Sequence, residues 1–197
     1  MKSKTNRTVS IKIAALIAAI VLVIGCTAGG TVAWLVSKPA AITNVFTVGN
    51  INATLTETKK EFKIVPGVNI AKDPVATVTA NSEDCYLFVK LTEKNWPAFT
   101  EADNTTRKVK YEIADGWTKL EDGVYYREVA KNGTTDQSYP VLQDNKVTVS
   151  STLTKEEAND MDLAIKKTGA PELTVAVYAV QKEGMGSATK AWAAANA

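Results

Sequence analysis

Residues 172–181 read ELTVAVYAVQ, and this stretch decides the fold. In an extended chain successive side chains point to opposite faces. One face of this run therefore carries four apolar residues and the other carries three: Leu173, Val175, Val177 and Ala179, then Ala176, Tyr178 and Val180. A run that is apolar on both faces and rich in β-branched residues predicts a strand in the interior of a sheet.

Shorter runs upstream have the same extended character and are separated by turn signals such as Pro66-Gly67 and Asn81-Ser82. We predict strands in the following ranges: 51–56, 62–65, 75–79, 86–91, 109–113, 123–128 and 146–150. Thr154 and Glu157 form a capping box that predicts a short helix, and Ser187 caps a second one over 187–195. Strands at this spacing predict an all-β fold, an antiparallel β-sandwich (jelly-roll-like) with short accessory helices.

The start of the chain has a different composition. Four basic residues within the first twelve positions precede an uncharged run of 25 residues, 13–37, and no acidic residue occurs before position 38. This order is typical of a secretory signal, and we expect it to form a hydrophobic helix that precedes the β-sandwich. We expect a signal peptide at 1–37, cleaved near 33–37, and one β-sandwich domain at 38–197. The signal cleavage region comprises Thr31, Val32, Ala33, Trp34 and Ser37.

Two alternatives to cleavage remain open for this segment. The uncharged run is long enough to span a bilayer, so it could be retained as an anchor. Val23-Ile24-Gly25-Cys26 loosely resembles a lipoprotein box, in which Cys26 would carry the lipid. If the segment is cleaved, we expect the domain to be secreted; before cleavage, the N-terminal segment is the only part expected to contact a membrane.

Composition excludes several classes of function. The first 37 residues hold four of the 23 basic residues and none of the 21 acidic ones, so the remaining domain is slightly acidic and no nucleic-acid partner is expected. Histidine is absent, which removes the commonest general base and metal ligand. We therefore expect no catalytic residues, no metal, no cofactor and no enzyme. Cys85, the only other thiol besides Cys26, is expected to be a buried small residue, and an intermolecular disulfide is the open alternative.

The acidic residues fit structural positions better than sites. The acidic stretch 156–162 lacks the spacing and glycine of a calcium loop, and the capping box accounts for its first turn. The pairs Glu101/Asp103 and Glu121/Asp122 are interpreted as polar turn residues.

Short motifs at both ends of the chain carry a family resemblance. The run 29–35 (GGTVAWL) is followed by 44–51 (NVFTVGNI), and then by Val65-Pro66-Gly67 and Lys72-Asp73-Pro74. Their order resembles the start of the TasA/camelysin family of exported proteins, whose signal peptides are processed by a SipW-type signal peptidase. The resemblance covers residues 20–90, and the ending from Tyr178 to Trp192 is similar to relatives from Gram-positive bacteria.

The resemblance implies a secreted subunit of extracellular biofilm-matrix fibres on the cell surface. In that family picture an N-terminal donor-type strand, here about 40–48, adds to a neighbouring copy, so the partner is the chain itself in a head-to-tail homopolymer. The assembly strand would use Ile42, Val45, Phe46 and Val48. The same segment could instead fold back as the first strand of its own sheet. Protease activity, associated with the camelysin branch, is not carried over, because no zinc-binding set is present.

A second class of function remains open at this point. The chain could be a monomeric cell-surface binding module, an adhesin for a glycan or a host protein. Its binding aromatics would be Trp96, Trp117, Tyr125 and Tyr126, which flank expected turns. Aromatic residues in β domains also serve as core or cross-strand pairs.

Overall fold

The computed structural model describes residues 45–48, 51–58 and 64–196, with 45–48 as backbone. The expected signal peptide and its cleavage region, Thr31, Val32, Ala33, Trp34 and Ser37, lie outside the described residues, as do Cys26 and Ile42. No helix in the described part of the chain has the length and apolar character needed to cross a membrane.

The described chain is mostly strand. In chain order the elements are β1 (Val45–Val48), β2 (Ala53–Thr56), β3 (Ile70–Ala71), β4 (Val75–Val78), β5 (Cys85–Lys94), β6 (Val109–Ile113), β7 (Thr118–Glu121), β8 (Val124–Val129), β9 (Gln137–Pro140), β10 (Leu142–Val149), α1 (Lys155–Thr168), β11 (Glu172–Gln181) and α2 (Ala188–Ala195).

These strands form one large sheet and two small ones. The main sheet has the order β1-β11-β5-β8-β7, the second sheet β3-β10-β6 and the third sheet β2-β4-β9. The N–H of Val141, between β9 and β10, donates to the carbonyl of Pro74, between β3 and β4, at 2.9 Å. The two small sheets are therefore joined where their strands continue into one another. Every described pair is antiparallel except β1 with β11, which is parallel.

The core lies between the main sheet and the two small sheets. Alternate residues of β5 and β11 point into it, and the small sheets supply the opposing layer. This inner cluster comprises Cys85, Leu87, Val89, Leu91, Val129, Leu173, Val175, Val177 and Ala179 from the main sheet, with Ile51, Ala53, Ala76, Val78, Val141 and Leu142. Burying this apolar area is the main favourable contribution to folding.

Helix α2 covers the other face of the main sheet. Its buried residues Ala188, Ala191 and Trp192 pack with an outer cluster on the sheet that includes Phe88 and Val180. Because both faces of β5 and β11 are covered, both faces of these strands are apolar in the sequence. The prediction of an interior strand at 172–181 is confirmed residue for residue.

Local signals placed the two helices correctly. Helix α1 begins after Thr154, whose hydroxyl accepts from the backbone N–H of Glu157, while the Glu157 carboxylate accepts from the N–H of Thr154. Lys108, 8% exposed as a residue, donates to both oxygens of the same carboxylate at 2.8 and 2.9 Å. Helix α2 begins after Ser187, whose hydroxyl accepts from the N–H of Lys190.

The all-β sandwich with short accessory helices is confirmed, with three corrections in detail. Ile64 and Val65 do not continue a strand, contrary to the prediction at 62–65, although the turn at Pro66-Gly67 is present. Strands β3, β7 and β9 were not predicted. The sandwich also contains the parallel β1–β11 pair, which an antiparallel pattern does not anticipate.

Candidate functional site

The edge of the main sheet is formed by β1. Its four residues pair with the end of β11 in the register Val45–Val177, Phe46–Tyr178, Thr47–Ala179 and Val48–Val180. On its other side β11 pairs with β5 along all ten residues. Among the described residues, no strand pairs with positions 172–176 on the β1 side of β11. The described ladder at this edge therefore covers four of the ten residues of β11.

The β11 positions opposite β1 differ in their surroundings. Val177 and Ala179 are fully buried in the inner cluster. Val180 is fully buried in the outer cluster, and Tyr178 packs against that cluster while half-buried. A strand in the β1 position therefore borders the sandwich core on one face and the layer below helix α2 on the other.

Helix α2 lies beside this edge and contacts β1, β5 and β11. The Trp192 ring stands perpendicular to the Tyr178 ring at 5.1 Å between centroids, and lies 5.4 Å from Phe88. Its indole N–H donates to Glu121 Oε1 at 2.7 Å. These contacts fix the helix over the outer face of the sheet beside β1.

The structure places the predicted assembly residues in part. Val45, Phe46 and Val48 belong to β1, and Ile42 lies outside the described residues. The expectation that the segment could fold back onto its own sheet is met at 45–48, where the pairing partner is the last strand of the same chain.

Cys85 begins β5 and is a free, fully buried thiol, as expected. Burial, with a smaller effect from the Asp84 carboxylate, raises the pKa of this thiol from 9.0 to about 12. Such a thiol is a poor nucleophile at neutral pH.

The acidic residues considered from the sequence have structural partners. Asp103 accepts from the Thr106 hydroxyl and from the backbone N–H groups of Thr106 and Thr105, which lowers its pKa to about 2. Glu101 accepts from the Thr152 hydroxyl at 2.6 Å. Within the described ranges, no group of three or more Cys, Asp and Glu residues is arranged to hold a metal ion.

The four aromatics of the binding alternative do not form one surface. Tyr125 packs against the inner cluster and Tyr126 against the outer one, because they are neighbours on a strand. The Trp96 ring meets the Tyr111 ring edge-on at 5.6 Å, and its indole N–H donates to the Val109 carbonyl. Trp117 is half-buried and donates to the Pro140 carbonyl at 2.8 Å.

No family model, curated protein or solved structure matches this chain.

Sequence reasoning missed one group near Trp117. The Arg127 guanidinium lies over the Tyr139 ring at 3.8 Å from its centroid and 5.3 Å from that of Trp117. Tyr139 belongs to β9, which was not predicted as a strand, so no local pattern indicates that these three residues meet. The signal that could have been used is Arg127 itself, a charged residue at an alternate position between Tyr125 and Val129 on a half-buried strand.

Proposed function

We propose that the processed chain is a secreted structural subunit that assembles head-to-tail into extracellular fibres by exchanging its N-terminal strand with a neighbouring copy. The observation that carries this proposal is the β1–β11 ladder. It joins the beginning of the domain to its last strand through four residues at a sheet edge. The family resemblance at residues 20–90 supports the same function, as a protein of the TasA/camelysin type.

Strand exchange requires no type of contact that the monomer lacks. The same segment of a second copy can occupy the β1 position and make the same backbone hydrogen bonds, as in domain swapping. Each copy would then accept one strand and donate another, and an arrangement that does not close on itself gives a filament. Main-chain pairing supplies affinity, and alternate side chains supply specificity.

In the same register, an exchanged strand would extend beyond the four described pairs of β1. In the observed register, a donated segment would bring positions 40–44 opposite positions 172–176 of the recipient's β11. The inward side chains of that stretch are Leu173 and Val175, which belong to the inner cluster.

The register sets which donated residues enter which layer. Position 45 of the donor would stand beside Val177, on the core face, and position 46 beside Tyr178, below Trp192 of the recipient. A slip by one residue would exchange the two faces. The β1 position is therefore selective for one register.

Processing would confine assembly to the outside of the cell. Before cleavage near 33–37, the arm is tethered to the uncharged segment 13–37 and to the membrane. A SipW-type signal peptidase would release it at the cell surface or in the biofilm matrix. Assembly then requires no metal, cofactor or enzymatic step.

Electron microscopy and light scattering of the chain beginning at Lys38 test the proposal. We expect fibres from this chain and a folded monomer when residues 38–48 are deleted. Val45→Pro and Phe46→Pro should be compared, because alternate residues of an edge strand donate to their neighbour and one of the two substitutions removes a ladder hydrogen bond. Val45→Thr and Phe46→Tyr keep both N–H groups and serve as controls.

Two results would contradict strand exchange. One is fibre formation by the deletion variant, and the other is a monomeric intact chain at high concentration. The second result would favour the monomeric binding module for a glycan or host protein.

A further inference from the structure

Arg127 occupies an unusual position at the far side of the main sheet. It lies on β8, two strands away from β11, and its half-buried guanidinium is stacked on Tyr139 and close to Trp117. We name Arg127, Trp117 and Tyr139 the arginine cage.

The guanidinium of the cage has no hydrogen-bond acceptor or carboxylate partner within the described part of the chain. Other basic side chains do have such partners, for example Arg107, which donates to both oxygens of Glu93 at 2.8 Å. A guanidinium carries five N–H donors in a planar fork. Desolvation by burial lowers the pKa of Arg127, which means that the cation would gain from an added anion.

The surroundings of Arg127 are held in place by other contacts. The Trp117 indole N–H is bound to the Pro140 carbonyl at 2.8 Å, and the Tyr139 hydroxyl donates to Gln137 Oε1 at 3.2 Å. Gly116 has φ of +84°, and a Cβ at this position would lie 2.7 Å from Arg127 Nη2. A side chain at Gly116 would therefore press on the guanidinium, and glycine lets the backbone of the turn approach it closely.

We propose that the arginine cage binds the carboxylate of an acidic glycan, such as a uronate unit of a polysaccharide. A planar guanidinium matches a carboxylate through two parallel hydrogen bonds. The flanking aromatic rings supply apolar surface beside the cation, which a sugar ring can cover.

A glycan fits the location better than an acidic peptide. The neighbouring edge strand β7 ends at Glu121, which accepts from the Trp192 indole, and Asp122 follows it, paired with Lys119 at 2.7 Å, so the end of this edge carries two carboxylates against one ammonium. An acidic peptide added along that edge would meet charges of its own sign. A sugar acid needs only the local cage.

The cage is also independent of the assembly edge. In the main sheet β11 and β5 separate β8 from β1, so the cage keeps its geometry whichever copy supplies β1. In a fibre the cage would recur once per subunit, and a polysaccharide with repeated carboxylates could bind several subunits at once. In a monomer the same cage would act alone.

Titration of the chain beginning at Lys38 with trigalacturonate tests the inference, and methyl-esterified trigalacturonate is the uncharged comparison. Binding should be followed by calorimetry and by the NMR signal of the Trp117 indole N–H. We expect the acid to bind and to shift that signal, and the ester to leave it unchanged. Arg127→Gln should weaken binding by about tenfold or more, which is the effect of removing a charged hydrogen-bond partner.

Two further variants separate the cage from general charge attraction. Arg127→Lys keeps the charge but loses the planar fork, and it should also weaken binding. Lys119→Gln removes an exposed charge from β7 and should leave binding nearly unchanged. Equal losses in Lys119→Gln and Arg127→Gln, or wild-type binding by Arg127→Lys, would overturn the inference.

The remaining outcomes are also decisive. Binding of triglutamate with no binding of trigalacturonate would assign the cage to acidic peptides and overturn the glycan. If Arg127→Gln does not melt cooperatively, its loss of binding cannot be interpreted. The glycan inference is then tested by the shift of the Trp117 indole signal in the wild-type protein and by the weaker binding expected of Arg127→Lys. Fibre formation is measured separately, so a failure of strand exchange does not affect this result.

Discussion

The indole N–H of Trp192 donates to Glu121 Oε1 at 2.7 Å, joining the last helix to β7, the edge strand opposite β1 in the main sheet. Helix α2 therefore reaches across the outer face of the sheet. Trp192 is 5% exposed and is the largest side chain that the helix places on that face.

Trp192→Ala should lower the free energy of unfolding by about 3–5 kcal/mol, because it removes a buried aromatic ring and leaves a cavity. Lys190→Ala, at an exposed position of the same helix, is the matched control and should change little. Urea unfolding measures both. Equal stability of the two variants would mean that α2 does not pack on the sheet.

The buried Lys72 provides a second test. This residue is 1% exposed, and its Nζ lies 2.6 Å from Glu57 Oε1. Glu57→Ala should lower the free energy of unfolding by about 3 kcal/mol, since it removes the carboxylate from a buried ammonium. Glu112→Ala breaks the exposed pair with Lys110 and should change it by less than about 1 kcal/mol. The two variants would become indistinguishable if Lys72 were solvated.

Gly123 and Gly184 form a matched pair of turn glycines. Both have positive φ, +73° and +82°, but a Cβ at Gly123 would lie 2.5 Å from the carbonyl oxygen of Leu91, whereas nothing lies within 4 Å at Gly184. Gly184→Ala should therefore lower the free energy of unfolding only by about 1 kcal/mol, the cost of left-handed backbone. Gly123→Ala should lower the free energy of unfolding by roughly 3 kcal/mol, because the backbone at Leu91 must move to make room for the Cβ. Thermal melting that ranks them in the opposite order would contradict the β7–β8 turn.

Val177 tests the central position of β11. Its side chain is fully buried, so Val177→Asp should abolish cooperative folding by placing an unpaired carboxylate in the core. Thr54→Asp, on the exposed face of β2, is the control. Circular dichroism during heating distinguishes them, and a cooperative transition in Val177→Asp near that of the parent would show that β11 is not interior.

The Cys85 thiol predicts a dependence on alkaline pH. Its pKa is raised to about 12, so its contribution to stability is fully present below the unfolded value of 9.0 and is lost as the pH rises through about 12. In the chain from Lys38, a disulfide reagent at about pH 8 should label Cys85 only after unfolding. Cys85→Ala, which has no thiol in this chain, is the control for background labelling. Rapid labelling of the native protein would mean that the thiol is accessible.

The sequence predicts those strands whose side chains carry the pattern. Residues 172–181 are apolar on both faces because both faces are covered, and the period of two at 109–113 corresponds to β6. Strands β7 and β9 read TKLE and QSYP, and neither has a strong pattern of its own. Strand β7 is extended because it pairs with β8, and β9 because it pairs with β4. A pattern within either segment does not reveal these partners.

The two candidate sites, the β1 edge and the arginine cage, also depend on contacts between distant segments. The β-prone segment around Val45 is visible in the sequence, but its register against Val177 depends on two distant segments meeting. The arginine cage combines residues from β8, from β9 and from the turn before β7, so it exists only after the sheets are assembled.

The parallel ladder has a consequence for the order of folding. Strands β1 and β11 come from opposite ends of the described chain, so this pair forms only after the last strand has been synthesised. Contacts between distant segments form slowly, because the chain must first close a large loop. The hairpin-linked β7 and β8 can pair early, whereas the first strand waits longest for its place. Throughout that interval the edge of β11 that later pairs with β1 stays open.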